Sequence, residues 1–224
     1  YVPMIGVFIA IAWLGRALAV RLRVPGRALQ AAALAVLAAL GVLTWKQTGV
    51  WRDSLTLWTH AVEAHGNVAA RANLGQALSV EGRWHEALPV LEEAIRVNPR
   101  HAEAHHHLGF ALDALGHPDL AIDHFREAVR LRPAYPEAQG NLGIALAQRG
   151  ELDAAVAHLR EVLRIDPASA LGRANLALAL ANLGEREAER GNSGAARAAY
   201  REALALLPAD AGLQSRLAQL EADR

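Results

Sequence analysis

The chain has 224 residues, is 53% hydrophobic with a mean hydropathy of +0.11, and carries a formal net charge of +0. That hydropathy is high for a purely soluble domain, while the balanced charge supplies no basic footprint for a phosphate backbone, so nucleic acid is not an expected partner. Cysteine is absent, which excludes disulfides, thiolate zinc sites and thiol nucleophiles together.

The apolar excess lies at the start. Residues 1–45 hold Arg16, Arg21, Arg23 and Arg27 and no acid, leaving the rest of the chain with four more acidic than basic residues. From Ala28 to Trp45 only Gln30 and Thr44 are polar. As a helix this stretch would run about 27 Å against a hydrocarbon core of about 30 Å, which predicts a membrane span. The run from Val2 to Leu14, continuing past Arg16 to Val20, predicts another. Residues 1–46 are therefore expected to form a transmembrane helical hairpin, a piece of a larger membrane domain, because the sequence opens at Tyr1 inside an apolar run without the flanks of a signal peptide. The intervening Arg21–Arg27 turn carries Pro25 and Gly26, and its arginines place it on the cytoplasmic side by the positive-inside rule. The chain beyond Trp45 is then expected outside the cytoplasm. Arginine dominates lysine, which occurs only at Lys46; this bias suits a GC-rich bacterial genome, and the bacterial inner membrane is the expected location.

Residues 47–67 read as a linker with a partial repeat, since Trp51 to Trp58 followed by Ala61 and Val62 has the pattern of a second repeat helix. A period of 34 then appears. Pro99, Pro133 and Pro167 share one register, Asn73-Leu74-Gly75, His107-Leu108-Gly109 and Asn141-Leu142-Gly143 a second, and Gly82, Gly116 and Gly150 a third. Each unit reads as helix, Gly-marked turn, helix, Pro-marked turn, with boundaries at 68–101, 102–135 and 136–169. The unit at 170–210 contains a seven-residue insertion, best placed as a lengthening of its first helix through Glu185 to Arg190 with a turn at Gly191; a loop insertion is the alternative. Residues 211–224, with Leu213, Leu217 and Leu220 on one face, are expected to cap the array. The fold class is thus all-α, a transmembrane hairpin followed by a right-handed superhelix of antiparallel helix pairs.

The period, glycines, alanines (Ala87, Ala121, Ala155) and prolines from Val68 to Arg224 resemble the tetratricopeptide-repeat family. Two positions depart from it: the usual Trp is replaced by Arg71, His105, Gln139 and Arg173, and the usual Tyr by Leu78, Leu112, Leu146 and Leu180. The resemblance implies a scaffold for protein or peptide ligands. The apolar start, arginine turn and Trp-Arg-Asp-Ser-Leu-Thr-Leu-Trp segment leading into repeats also resemble polytopic, glycosyltransferase-like proteins related to the transmembrane and repeat-containing O-mannosyltransferases. That likeness implies recruitment of an acceptor, and no catalytic residue can be carried over to this chain.

Four residues, Asn73, His107, Asn141 and Asn175, occupy the sixth position of successive repeats. An amide offers donors and an acceptor, so a row of them can pair with the backbone of an extended chain. The row resembles the asparagine ladder in the repeats of O-linked N-acetylglucosamine transferases, and Phe110, Ile144 and Leu178 would add apolar contacts. Bonding of the asparagines to nearby helix termini is the alternative. His101, His105, His106 and His107 are close enough to suggest an ion, but no carboxylate completes a ligand set, and neither metal nor cofactor is expected.

Overall fold

A computed structural model describes residues 25–50 and 53–222 and divides the chain into two compact units, 1–57 and 58–224. The first predicted span, Arg21, Arg23 and Trp51 lie outside the described residues. Those that are described form eleven α-helices and no strand.

In the first unit, α1 spans Gly26–Val50, a single helix of 25 residues. Gly26 opens this helix instead of closing the predicted turn, and Pro25 stands just before it, accepting from the Ala28 N–H at 2.9 Å. Its Leu34, Val36, Leu37 and Val42 side chains are exposed. Among the described residues no helix is long and apolar enough to cross a membrane. Several α1 side chains, Leu43 and Thr44 among them, lie outside that set, and the predicted hairpin is not established.

Helix α2 spans Ser54–His65 and is capped by Asp53, whose carboxylate accepts from the Thr56 N–H at 2.7 Å. It is followed by α3 (Val68–Val80), α4 (Trp84–Val97), α5 (Ala102–Ala114), α6 (Pro118–Leu131), α7 (Pro136–Gln148) and α8 (Leu152–Ile165). The array closes with α9 (Ala170–Glu189), α10 (Ser193–Leu206) and α11 (Ala211–Ala222). Helices α3 to α10 make four antiparallel pairs stacked side by side. The turn inside each pair holds glycine at positive φ, for example Gly116 at 80°, where any Cβ would be strained. Around it the Gly116 N–H donates to Asp113 O and the His117 N–H to Leu112 O, satisfying carbonyls that the end of α5 would orphan.

Within each pair the backbones approach closely because a glycine faces a large buried side chain of its partner helix. Gly75 lies against Leu91, Gly109 against Phe125, Gly143 against Leu159, and Gly184 against Tyr200. Phe125, Leu91 and Leu159 are almost wholly buried there, each closing the apolar contact within its pair. The insertion in the last pair is absorbed as helix: α9 has 20 residues where α3, α5 and α7 have 13. Gly184 is accordingly buried inside α9 against Tyr200, and the turn falls at Gly191 with φ 78°. Gly184 and Tyr200 keep the 16-residue step of Gly75 to Leu91 and Gly109 to Phe125, so the two added turns of α9 precede Gly184.

Where the family has tryptophan, this chain builds a polar clamp. His105 Nε2 is 3.1 Å from Pro99 O, and Gln139 Nε2 donates to Pro133 O at 2.9 Å. Arg173 donates to Pro167 O at 3.1 Å and Gln214 to Pro208 O at 2.8 Å. The clamps at His105 and Gln139 extend further, to His124 Nδ1 at 3.0 Å and His158 Nδ1 at 2.7 Å on the paired helix. Each such residue ties the turn between repeats to the start of the next helix, and no buried side-chain N or O among the described residues lacks a partner.

Candidate peptide groove

The first helices of the four pairs, α3, α5, α7 and α9, line one cleft of about 380 Å³. Its walls include Gln76, Ser79 and Val80 from α3 and His106, His107 and Phe110 from α5. Glu137, Gly140, Asn141 and Ile144 come from α7, Leu171 and Asn175 from α9, and Asp166 and Ser169 from the turn before it. Gly140 leaves the floor open because a Cβ there would meet only Val162. A second cleft of about 200 Å³, bounded by Ile144, Gln148, Leu178 and Asn182, contains Leu178.

The structure therefore brings His107, Asn141, Asn175, Phe110 and Ile144 to one cleft. Leu178 lines the neighbouring one and is exposed. Asn73 is half-buried on α3 and does not line the larger cleft, because Gln76, Ser79 and Val80, one to two turns later, form that wall. Phe110 is held at the rim by an edge-on contact with Trp84, ring centroids 5.6 Å apart.

The histidines have distinct tasks. His101 accepts from the Ala104 N–H at 3.2 Å and so caps α5. His106 lies between Tyr135 Oη, 3.0 Å from its Nδ1, and Asn141 Nδ2, which donates to its Nε2 at 3.0 Å. Burial holds the His106 and His107 rings neutral, with pKa values pushed down to about 4. Tyr135 is shifted the other way by burial, to about 12, and keeps its proton. Arg132 stacks on the Tyr135 ring at 5.0 Å and is ion-paired with Glu103. Glu103, Arg132, Tyr135, His106 and Asn141 are thus one chain of polar contacts joining α5 to α7, of which His106 and Asn141 line the cleft. It engages one amide hydrogen of Asn141 and leaves its carbonyl oxygen without a hydrogen bond among the described residues.

His107 is 9% exposed, lines the cleft and has no hydrogen-bond partner among the described residues. Among the same residues no cluster of His, Asp or Glu is arranged to hold a metal ion. Sequence reasoning missed the contributions of Tyr135, Arg132 and Trp84. A signal existed for the first two, since Glu103 to Arg132 and His106 to Tyr135 are both separated by 29 residues, the same step across one repeat.

A helical-repeat solenoid with a groove along its first helices is the class of protein that these features define. The tetratricopeptide repeat family matches residues 73–136 and 108–170, and this stretch is a tetratricopeptide-repeat array. A thermophilic tetratricopeptide-repeat protein of Thermus thermophilus is similar in structure, with 24% identity and a TM-score of 0.52 over 82% of this chain and 96% of that one. YrrB, described as a tetratricopeptide-repeat protein with an unusual peptide-binding site, has 25% identity and a TM-score of 0.55, covering 79% of this chain and 87% of its own. The protein O-mannosyl-transferase Tmtc2 of Drosophila melanogaster is 41% identical over 70 residues. Those residues are 31% of this chain, which spans 7% of that protein.

Proposed function

We propose that the repeats, divided at 68–101, 102–135, 136–169 and 170–210 with a cap at 211–224, form a right-handed superhelix that holds an extended polypeptide in the cleft. The observation that carries this reading is the convergence of His107, Asn141 and Asn175 on one groove beside Phe110 and Ile144. Polar groups can there meet the ligand's backbone while apolar walls take alternate side chains. Asn73 and Leu178 extend the contacts beyond the two ends of the cleft. The peptide-binding site named for YrrB supports a peptide as occupant, and the scarcity of basic residues on the walls argues against nucleic acid.

The array is tethered, on this reading, by α1 as part of a transmembrane hairpin in a bacterial inner membrane, with the repeats extracytoplasmic. The 25-residue length of α1 and its exposed Leu34, Val36, Leu37 and Val42 support the tether. A second reading is favoured by the likeness to an O-mannosyl-transferase: the repeats would recruit acceptor polypeptides for a lipid-linked sugar transferase. The two are compatible, because recruitment needs the same groove.

The test is a triple replacement, Asn73→Ala, Asn141→Ala and Asn175→Ala, with melting and binding measured on one sample. The probe is a capped nonapeptide alternating leucine and glutamine. Lost binding with unchanged melting supports the groove, whereas lost stability with retained binding returns the asparagines to a structural role.

A further inference from the structure

The charges around the cleft are unevenly placed. Its walls carry two carboxylates, Glu137 and Asp166, and neither arginine nor lysine. Elsewhere in the array the charges are largely matched: Glu93 with Arg96, Glu127 with Arg130 and Glu161 with Arg164 repeat on the second helices, and Arg149 pairs with Asp119. Glu103, one repeat before Glu137 in the same register, is neutralised by Arg132. Glu137 has no ion-pair or hydrogen-bond partner among the described residues, and it lies in the first turn of α7, where the helix dipole favours its charged form. One oxygen of Asp166 accepts from the Ala168 N–H at 3.0 Å, which leaves the other for a ligand.

The cleft also holds His107, which is 9% exposed, packs on the His106 ring and has no hydrogen-bond partner among the described residues. No fully buried side-chain nitrogen among the described residues lacks a partner, so the His107 ring nitrogens open to the cleft, where a ligand amide or carbonyl can bond them. Its ring is neutral at ordinary pH, as is that of His106, so neither opposes a cation entering the cleft.

We propose that the occupant of this cleft is an extended polypeptide segment bearing a basic side chain, held by its backbone at His107 and Asn175 and by its cationic group at Glu137. This rests on the peptide-groove reading and adds the charge of the ligand. Asp166 contributes to the same field from the adjoining turn, and Val80, Phe110 and Leu171 receive the apolar side chains on either side.

The experiment uses the full chain and three capped nonapeptides in which leucine alternates with lysine, glutamine or glutamate, with affinities measured by fluorescence anisotropy. The lysine peptide is expected to bind roughly fivefold more tightly than the glutamine peptide, and the glutamate peptide more weakly than either. That preference should shrink when salt is raised from about 0.05 M to about 0.5 M. Glu137→Gln should bring the lysine peptide to the affinity of the glutamine peptide without changing the melting temperature. Equal binding of the lysine and glutamine peptides, or an unchanged preference in the Glu137→Gln variant, overturns the charge proposal while the groove reading stands. Binding of none of the three overturns both.

Discussion

Gly109 and Gly140 both lie inside 13-residue first helices, yet replacing each by alanine should move stability in opposite directions. Alanine improves helix propensity by about 1 kcal/mol at either position. At Gly109 the new Cβ would sit 2.8 Å from two carbons of the Phe125 ring and 3.0 Å from Ala121 O. Neither neighbour can yield cheaply, because Phe125 is 1% exposed and the carbonyl belongs to the backbone of α6. Overpacking of this kind costs about 1–3 kcal/mol, so Gly109→Ala should be a net destabilisation of about 1 kcal/mol. At Gly140 the nearest atom is Val162 Cγ2 at 3.8 Å, an ordinary contact, and the full propensity gain should appear. The two variants should therefore differ by roughly 2 kcal/mol, or several degrees in Tm for a chain of this size. Denaturant unfolding followed by circular dichroism at constant m-value measures the gap. Equal stability of the two variants would refute the close approach of α5 to α6 and with it the packing account of the repeats.

Acid should weaken the array before it weakens an ordinary helical protein. His106 and His107 have folded pKa values near 4, below the usual 6.5, so stability is complete above the unfolded value and is lost as pH falls from about 6.5 toward 4. Each contributes roughly 2 kcal/mol of loss between pH 7 and pH 5; His106→Asn with His107→Asn should flatten that slope, and an unchanged slope would place its origin elsewhere. Gln139→Ala removes the bonds to Pro133 O and His158, so a loss of roughly 2 kcal/mol in unfolding free energy is expected. A neutral result would show that the clamp contributes nothing net.

The repeat architecture was legible because it rests on local rules. Glycine after each first helix, small residues at the crossing points and proline between units are each dictated by backbone geometry within one repeat. The place of the seven extra residues was less legible: Gly184 to Tyr200 keeps the 16-residue step of Gly109 to Phe125, so they precede Gly184, which the proline period alone does not show. The polar clamp was not, since histidine, glutamine and arginine in place of tryptophan look like a loss of packing until their reach to the carbonyls of Pro99, Pro133 and Pro167 is seen. Asn141 shows the limit within the site. Its position on the groove follows from the period, but its bond to His106 in the preceding repeat depends on ring orientation, which periodicity does not encode. Asn73 shares the register of Asn141 without lining the same cleft, whose wall on α3 is formed by Gln76, Ser79 and Val80.

Photo-crosslinking tests the groove most directly, using matched exposed leucines on opposite kinds of helix. Leu171 lines the cleft on α9, whereas Leu120 lies on α6 away from it, and they are 71% and 53% exposed. With benzoylphenylalanine in place of each in turn, the leucine–lysine nonapeptide should be captured from position 171 and not from position 120. Capture from position 120 alone, or equal capture from both, would contradict the assignment of the first-helix face as the binding surface.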